Sequence, residues 1–243
     1  MRLFYDLHIH SCLSPCADDD MTPNNITGLA AMLGLDVIAV SDHNSMLNCG
    51  AVIKAGAANG IAVLPAMELE TSENVHILML FPSYGRATDF FEYFAAEKRS
   101  GLMNRPDIFG EQIVMDEHDT VVGHEDNLLL TASDVGVYEC AELADRFGGV
   151  AIPAHVDREA NGLIAVLGDV SDDMGFSTLE VSSKADGSFV KRLEARGFMV
   201  IRDSDAHYLE NINTAGGENV LEVDSPDAQT IINLLKTKKG VNT

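Results

Sequence analysis

Basic residues are scarce in this chain. Lys and Arg number 16 against 38 Asp and Glu, which gives a formal net charge of −22 at pH 7. Proteins that bind long nucleic acids depend on Lys and Arg contacts to phosphates, so this charge argues against a long nucleic acid as a partner. A phosphorylated substrate would also be repelled at long range unless a local group of cations attracts it. Bound metal ions are the natural candidates for that group.

Long apolar runs are also missing, and cysteines are few. No stretch approaches the roughly 20 apolar residues that cross a membrane, and the start MRLFYDLHIH lacks the apolar core of a secretion signal. The four cysteines, Cys12, Cys16, Cys49 and Cys140, form no framework of close pairs. We therefore expect a cytoplasmic protein with free thiols. Cys12 and Cys16 are left out of the predicted site, because one CxxxC is a weak zinc signal.

Two histidines end the first apolar run of the chain. In DLHIHS, His8 and His10 stand two residues apart, and in an extended strand such residues point to the same side and can reach one ion. The polar face of an ordinary strand would look the same. However, six of the eight histidines lie beside short apolar runs, together with Asp42, Glu68 and Asp205. Packing alone does not account for that recurrence, so it indicates a metal site.

Apolar runs alternate with helix-like segments from LFYDL to NVHILMLF. This rhythm predicts a largely parallel sheet, open or closed into a barrel, whose functional groups gather at the carboxyl ends of the strands. The candidate ligands follow the expected strands in order: His8 and His10, Asp42 and His43, Glu68, His155, then Asp205 and His207. His76 departs from the rule because it lies near the start of VHILML. That strand is therefore expected to run the other way or to be offset.

Residues 85–131 break the rhythm. They contain an amphipathic helix candidate at 89–100 and two short candidate strands around an acidic turn at 116–120. We predict an insertion that could cap the site, within a single domain that spans residues 1–243. His118 and His124 lie in this acidic segment, outside the strand-end positions, and are expected on the surface.

The ordered set of ligands resembles the PHP (polymerase and histidinol phosphatase) family of metal-dependent phosphoesterases. The motifs that carry the resemblance are DLHIHS at 6–11, SDHNS at 41–45, MELE at 67–70 with VHIL at 75–78, PAH at 153–155 and SDAH at 204–207. The resemblance implies an α/β fold, a distorted (β/α)7 barrel with two or three divalent ions at its carboxyl-terminal mouth. Neutral imidazoles suit zinc, iron or manganese better than calcium.

The resemblance also implies a role for each ligand. His8, His10 and Asp205 would hold a first metal, Glu68 would bridge it to a second held by His76 and His155, and His43 and His207 would hold a third with an Asp from the loop after His10. That loop reads SPCADDDMTP, with Pro15 where the family has the aspartate. Counting back from Thr22, Asp18 is the best match, ahead of Asp19 and Asp20. The alternative is a third site that is altered or partly filled.

Three further residues are candidates for work on the substrate. Asp42 is a candidate catalytic residue, as an acceptor behind a histidine or as a proton donor to the leaving group; an N-cap for a helix near Ser45 is equally compatible. Arg158, three residues after His155, and Lys184, just past the strand TLEVS, are candidate phosphate-binding residues.

These observations predict a metal-dependent phosphoesterase that hydrolyses a small phosphomonoester by attack of a metal-activated hydroxide. A nucleotide is favoured, because the insertion could cover one, and histidinol phosphate is the alternative. A non-catalytic metal-binding module is a further interpretation, which Pro15 keeps open. Amidohydrolase-like chemistry is less favoured, since Lys184 is the only candidate for a lysine ligand.

Overall fold

The computed structural model describes residues 1–217 and 219–237. Its strands are β1 (Arg2–Ile9), β2 (Val37–Val40), β3 (Ala62–Glu70), β4 (His76–Leu80), β5 (Ile113–Met115), β6 (Val121–His124), β7 (Val150–Pro153), β8 (Thr178–Val181), β9 (Met199–Arg202) and β10 (Val220–Glu222). Its α-helices are α1 (Pro23–Met32), α2 (Cys49–Asn59), α3 (Tyr84–Glu97), α4 (Pro106–Phe109), α5 (Val137–Arg146), α6 (Leu163–Leu167), α7 (Gly187–Ala195) and α8 (Ala228–Leu235).

Six strands form the main sheet, in the order β10-β1-β2-β3-β4-β7. Strands β1, β2 and β3 are parallel, whereas β4 is antiparallel to both β3 and β7. The runs VIAV in β2 and VAIP in β7 are buried at every position, as expected for strands covered on both faces. Strands β8 and β9 form a separate parallel pair.

Hydrogen bonds join the β8–β9 pair to both sides of the main sheet. Beside β7, the Val156 amide donates to the Glu180 carbonyl at 2.9 Å, and beside β1, the His10 amide donates to the Ala206 carbonyl at 2.9 Å. The sheet therefore curls into a distorted barrel, which confirms the predicted α/β fold. Because β1, β2 and β3 run in the same direction, their carboxyl ends reach the same rim.

The interior of the curled sheet is apolar. Leu7, Ala39, Leu64 and Ile152 belong to one buried cluster that also contains Ile231 of α8. Each large side chain buried in this way stabilises the fold by about 1.5–3 kcal/mol. The apolar cluster fills the barrel, so the polar groups are left at the rim. Within the described parts of the chain, no helix combines the length and apolarity needed to cross a bilayer.

Strand β4 runs against its neighbour β3, which confirms the first of the two alternatives predicted for the segment around His76. The register pairs His76 with Glu70 and Leu78 with Glu68. Reversal of β4 brings its first residue, rather than its last, to the rim where β3 ends. His76 therefore joins the other histidines although it precedes its strand's apolar run.

The segment predicted as an insertion begins inside α3. Ser83 caps this helix, and Phe90 and Phe94 on its inner face are fully buried in a core cluster with Phe81. The helix thus starts before the predicted residue 89, since Ser83 supplies an N-cap oxygen that binds the Arg86 amide. The division of the chain into one domain with an insertion at 85–131 stays a prediction.

The two short strands expected in this segment are present as the antiparallel hairpin β5–β6. The turn of the hairpin packs on the start of α1, where the Asp119 carboxylate accepts from the Thr22 hydroxyl at 2.8 Å and the Asn24 amide at 2.9 Å. Near its base, the Ile113 amide donates to the Cys12 carbonyl at 3.0 Å. The hairpin is therefore attached to the loop that follows His10.

Candidate metal centre

Eight side chains from six parts of the chain meet at the rim. Glu68 has Nδ1 of His43 and of His76 each at 2.9 Å, Nε2 of His8 and of His155 each at 3.2 Å, and Nε2 of His10 at 3.4 Å. Asp205 and His207 complete the set from the loop after β9. One buried carboxylate thus contacts five imidazoles.

His8, His10 and Asp205 form one side of this cluster. The Asp205 Oδ1 atom lies 3.2 Å from Nε2 of His8 and 3.1 Å from Nε2 of His10. The two imidazole nitrogens are themselves 3.1 Å apart. All three donor atoms point to one space, as expected from the HxH spacing and from the position of Asp205 after β9.

The donor set fits divalent metal ions. The Glu68 Oε2 atom is fully buried and has no hydrogen-bond partner in the described chain, although two imidazole nitrogens lie within 3.4 Å. A buried acceptor without a partner is costly, and a cation between it and the nitrogens removes that cost. Three groups have donor atoms within 4.8 Å of one another: His8, His10 and Glu68; His43, Glu68 and His76; and His10, His43 and His207.

Charge couples the members of the cluster strongly. Burial raises the pKa of Glu68, but the charges of His76, His8 and His43 outweigh it and hold the pKa well below its usual range. Burial lowers the pKa of His8, yet the carboxylates of Glu180, Asp205 and Glu68 together raise it well above the ordinary value. The side chains therefore favour positive charge among the carboxylates, which protons or metal ions can supply.

His10 behaves differently from His8. Burial lowers its pKa, and the neighbouring charges of His207 and His43 lower it further, so that the imidazole is neutral near pH 7. Its Nδ1 atom lies 3.0 Å from the Ser14 hydroxyl, which fixes the ring. A neutral, oriented imidazole is the form that binds a metal ion.

Asp42 lies behind His10. Its buried carboxylate accepts from the Ser11 amide at 2.7 Å and from the hydroxyls of Ser11 and Ser14 at 2.6 and 2.7 Å. Because Ser14 in turn contacts His10, Asp42 positions that imidazole. This geometry agrees with an acceptor behind a histidine, and the role of Asp42 in catalysis stays a prediction.

Glu180 is a residue that the motifs did not reveal. Its Oε2 atom lies 2.8 Å from Nδ1 of His8, and its Oε1 atom accepts from the His155 amide at 3.3 Å. Such a carboxylate holds the ring of a ligand and raises its basicity. The available signal was a single acidic residue inside the apolar strand TLEV, which is buried at every position.

The loop after His10 differs most from the prediction. Asp18 is exposed, and its Oδ1 atom accepts from the Asp20 amide at 2.9 Å, so it belongs to none of the donor groups in the described chain. Cys16, which the sequence argument excluded, is exposed and belongs to none of these donor groups either, but its charge is coupled to those of His207 and His43. Burial raises the pKa of its thiol, but hydrogen bonds with these two imidazoles outweigh that effect and the pKa falls to about 7.

Two residues of the cluster have a strained backbone. His155 has φ 32° and Asp205 has φ 52°, in the left-handed region that residues with a Cβ rarely adopt. Each such residue costs about 1–3 kcal/mol and persists only where its surroundings hold it. The strain aims both side chains at the rim, where the strands have already ended.

The two predicted phosphate-binding residues have different surroundings. Arg158 Nη1 lies 2.5 Å from Asp205 Oδ2, and its side chain is 43% exposed, so it stands at the entrance to the cluster. Lys184 is exposed in the loop after β8, and no contact within residues 1–217 and 219–237 joins its side chain to the histidines. His118 and His124 are exposed and outside the cluster, as expected.

The PHP domain family matches residues 6–169 of this chain. The chain belongs to that family. The assignment confirms the resemblance and agrees with the prediction of a hydrolase that acts on phosphoric esters with divalent metal ions. The identity and number of the ions stay predictions. No curated protein matches the chain.

Several solved structures share the fold of this PHP chain. Endonuclease Q from Pyrococcus furiosus, a lesion-specific enzyme, has 21% identity and a TM-score of 0.71, over 97% of this chain and 56% of its own. A complex of endonuclease Q with a 27-mer duplex carrying an abasic lesion gives 23% identity, a TM-score of 0.69, and coverage of 97% and 57%. This chain thus spans little more than half of their length.

A third structure has a length similar to that of this chain. It is a protein from Bifidobacterium adolescentis, proposed to be a metal-dependent phosphoesterase, with 18% identity and a TM-score of 0.59 over 93% of this chain and 95% of its own. At these identities the likeness concerns the fold. The DNA complex also shows that the expectation against long nucleic acids does not extend to every protein of this fold.

Proposed function

We propose that this chain is a metal-dependent phosphoesterase that hydrolyses a small phosphomonoester, with a nucleotide as the first candidate. The observation that carries the proposal is the buried Glu68 carboxylate with five imidazole contacts at the rim of a PHP barrel. A carboxylate shared among imidazoles is what a cluster of two or more cations requires, because it offsets part of their mutual repulsion.

The protein's side chains would divide the work. The ions would be held by the eight side chains at the rim: His8, His10, His43, Glu68, His76, His155, Asp205 and His207. When bound, the ions would lower the pKa of a water molecule and neutralise charge on the phosphoryl oxygens. Glu180 and Asp42 would keep His8 and His10 in the binding orientation.

Arg158 would receive the phosphate. Its guanidinium stands at the entrance, partly exposed and paired with Asp205. A planar guanidinium can bind two phosphate oxygens at once, and an incoming phosphate would compete with Asp205 for it. In a chain of charge −22, such a local cation compensates for the repulsion of an anionic substrate.

A screen of phosphorylated metabolites, with zinc, manganese or iron supplied, tests the proposal. His10→Ala should lower kcat/KM at least about 100-fold, since even the loss of an outer partner of a metal ligand costs 10–100-fold. Its circular dichroism spectrum should stay unchanged, because neutral His10 contributes no charge pair to the core. The matched control is His124→Ala, whose exposed side chain lies 3.6 Å from Glu111 and whose activity should stay at the wild-type level.

Activity that survives chelation, or equal losses in His10→Ala and His124→Ala, would contradict the proposal. Binding of ions without turnover of any phosphorylated compound would favour the non-catalytic module instead.

A second candidate is cleavage of a phosphodiester in damaged DNA. The shared fold with endonuclease Q, which was solved with an abasic duplex, favours it. The net charge of −22 opposes it, since duplex binding relies on cations at the phosphates. Incubation of the metal-loaded protein with an abasic duplex and with a mononucleotide separates the two: release of inorganic phosphate alone supports the monoesterase, and strand cleavage supports the nuclease.

A further inference from the structure

We propose that Asn48 is a positioning residue for the metal centre. Its side chain joins strand β5 to the imidazole of His10 through a buried hydrogen-bond network that contains three further residues: Ser11, Asp42 and Ser14. This network fixes which nitrogen of His10 carries the proton. The inference rests on the proposed function, because it names what keeps one of the metal ligands in its binding form.

Asn48 stands at the N-cap position of α2 but does not cap that helix. Asparagine at such a position usually accepts a hydrogen bond from an amide of the first turn. Within the described residues, the Asn48 side chain makes no capping bond. It is fully buried and bonds instead to β5 and to Ser11 in the loop after His10. A helix cap therefore does not explain this asparagine.

The contacts with β5 fix the orientation of the Asn48 amide. Its Oδ1 atom accepts from the Met115 amide at 2.9 Å, and its Nδ2 atom donates to the Ile113 carbonyl at 3.1 Å. A backbone N–H group only donates and a carbonyl only accepts, so the opposite orientation of the side chain would break both bonds. The second proton of Nδ2 is then directed to the Ser11 hydroxyl oxygen, which lies 3.0 Å away.

The direction of each further bond follows from this one. The Ser11 oxygen accepts from Asn48 and, at 3.2 Å, from the Leu13 amide. Its own proton therefore goes to the Asp42 carboxylate, 2.6 Å away. Because a carboxylate only accepts, the Ser14 hydroxyl also donates to Asp42, at 2.7 Å.

The Ser14 oxygen is left with two acceptor sites. One accepts from the His43 amide at 3.2 Å, and the other faces Nδ1 of His10 at 3.0 Å. Since Ser14 has no further proton to give, Nδ1 of His10 must carry one. The free electron pair of the ring is then on Nε2, which lies 3.1 Å from Asp205 and 3.4 Å from Glu68. This is the tautomer that can bind a metal ion at the centre.

Strand β5 therefore contributes to the metal centre without supplying a ligand. Its bonds to Asn48 hold the amide that orients the Ser11 hydroxyl, and the Asp42 carboxylate passes this order on to Ser14. If the bonds to β5 are lost, the Asn48 amide can turn and the network no longer selects one tautomer of His10.

Zinc titration of the whole chain tests the network through two variants and their combination. Ser14→Ala removes the acceptor of the His10 proton and should lower the zinc affinity about 10–100-fold. Asn48→Ala should lower it about 10-fold, but should lower it no further in the Ser14→Ala background, because the connection to His10 is already cut. Ser133→Ala removes a buried hydroxyl that donates to the Glu70 carbonyl; it is the matched control and should bind zinc as the wild type does.

Urea unfolding separates positioning from a general loss of stability. Asn48→Ala should be less stable in both backgrounds, since the Met115 amide and the Ile113 carbonyl lose their partner, while the zinc affinity falls in one background only. In the zinc-loaded wild-type protein, a nitrogen NMR spectrum of the histidine rings should place the His10 proton on Nδ1.

Three results would overturn the inference and leave the metal centre intact. They are a His10 proton on Nε2, an unchanged zinc affinity in Ser14→Ala, and equal losses of affinity on Asn48→Ala in the two backgrounds. A wild-type protein that binds no zinc would instead overturn the proposed function.

Discussion

Three imidazoles at the rim have a polar group beside their Nδ1 atom. Nδ1 of His8 lies 2.8 Å from Glu180, Nδ1 of His10 lies 3.0 Å from Ser14, and Nδ1 of His207 lies 2.9 Å from the Asp205 carbonyl. A histidine bonded in this way keeps one tautomer, and the free electron pair is then on the nitrogen that faces the centre.

Glu180→Gln tests this support at the residue scale. The amide keeps the size of the carboxylate but removes its charge, so we expect metal affinity to fall about 10–100-fold with little change in the fold. A competition titration against a metal indicator measures the affinity. Glu194→Gln, at an exposed position of α7, is the control and should bind metal as the wild type does. Equal affinities for all three proteins would show that Glu180 does not support the centre.

At the scale of elements, the β5–β6 segment braces the loop that carries Ser14 and Cys16. At the base of the hairpin, the Ile113 amide donates to the Cys12 carbonyl, and in its turn the Asp119 carboxylate accepts from the Thr22 hydroxyl. Gly110, which precedes the hairpin, lies against Pro15. Gly110 has φ 95°, and a Cβ there would lie 2.9 Å from the Pro15 carbonyl oxygen. A glycine is required at this contact for both reasons.

Gly110→Ala should therefore displace the loop. We expect a loss of about 1–3 kcal/mol in the free energy of unfolding from the strained backbone. Because Ser14, which contacts His10, directly precedes Pro15, we also expect a lower content of bound metal per chain. Urea unfolding and elemental analysis measure the two effects. Gly101→Ala is the control, since a Cβ at Gly101 meets nothing within 4 Å. Full metal content in Gly110→Ala would mean that the β5–β6 segment does not brace the loop.

For the whole molecule, stability depends on how the buried charges of the centre are compensated. His8, His43 and His207 all have pKa values raised above the ordinary value: burial lowers each one, but nearby carboxylates and, at His43 and His207, the Cys16 thiol outweigh it. In the metal-free protein, the folded state therefore binds more protons than the unfolded state above the ordinary pKa of histidine. Stability is then lost as pH rises through the raised values.

Metal-free protein should accordingly become less stable as the pH rises above about 6.5, the ordinary pKa of histidine. The Cys16 thiol, with its pKa lowered to about 7, raises the stability over the same pH range. Its effect is smaller than the loss, because one thiol contributes to the gain and three imidazoles contribute to the loss. Added zinc should stabilise the protein more at the higher pH, because the ligands must lose their protons to bind it. Thermal unfolding with and without a chelator measures both slopes. A metal-free stability that is constant or rises over this range would contradict the expectation.

Local features of the sequence were enough to predict the fold class and the family. Short apolar runs such as VIAV and VAIP identify buried strands, and polar residues just after them identify a rim. The reversal of β4 was foreseen as one of two alternatives, from the early position of His76. Helix α3 starts before the predicted residue 89, because the Ser83 side chain caps it at Tyr84.

The sequence by itself determined which residue types reach the rim, since the ligands lie at the end of a strand or within a few positions of it, and local geometry fixes where they point. The tertiary structure alone decided which groups support them and that the Asp18 carboxylate lies outside the cluster. His8 and Glu180 are 172 positions apart and meet only when the barrel closes. The Asp18 amide donates to the His207 carbonyl while its carboxylate accepts from the Asp20 amide, and a contact between distant segments leaves no mark in either segment alone.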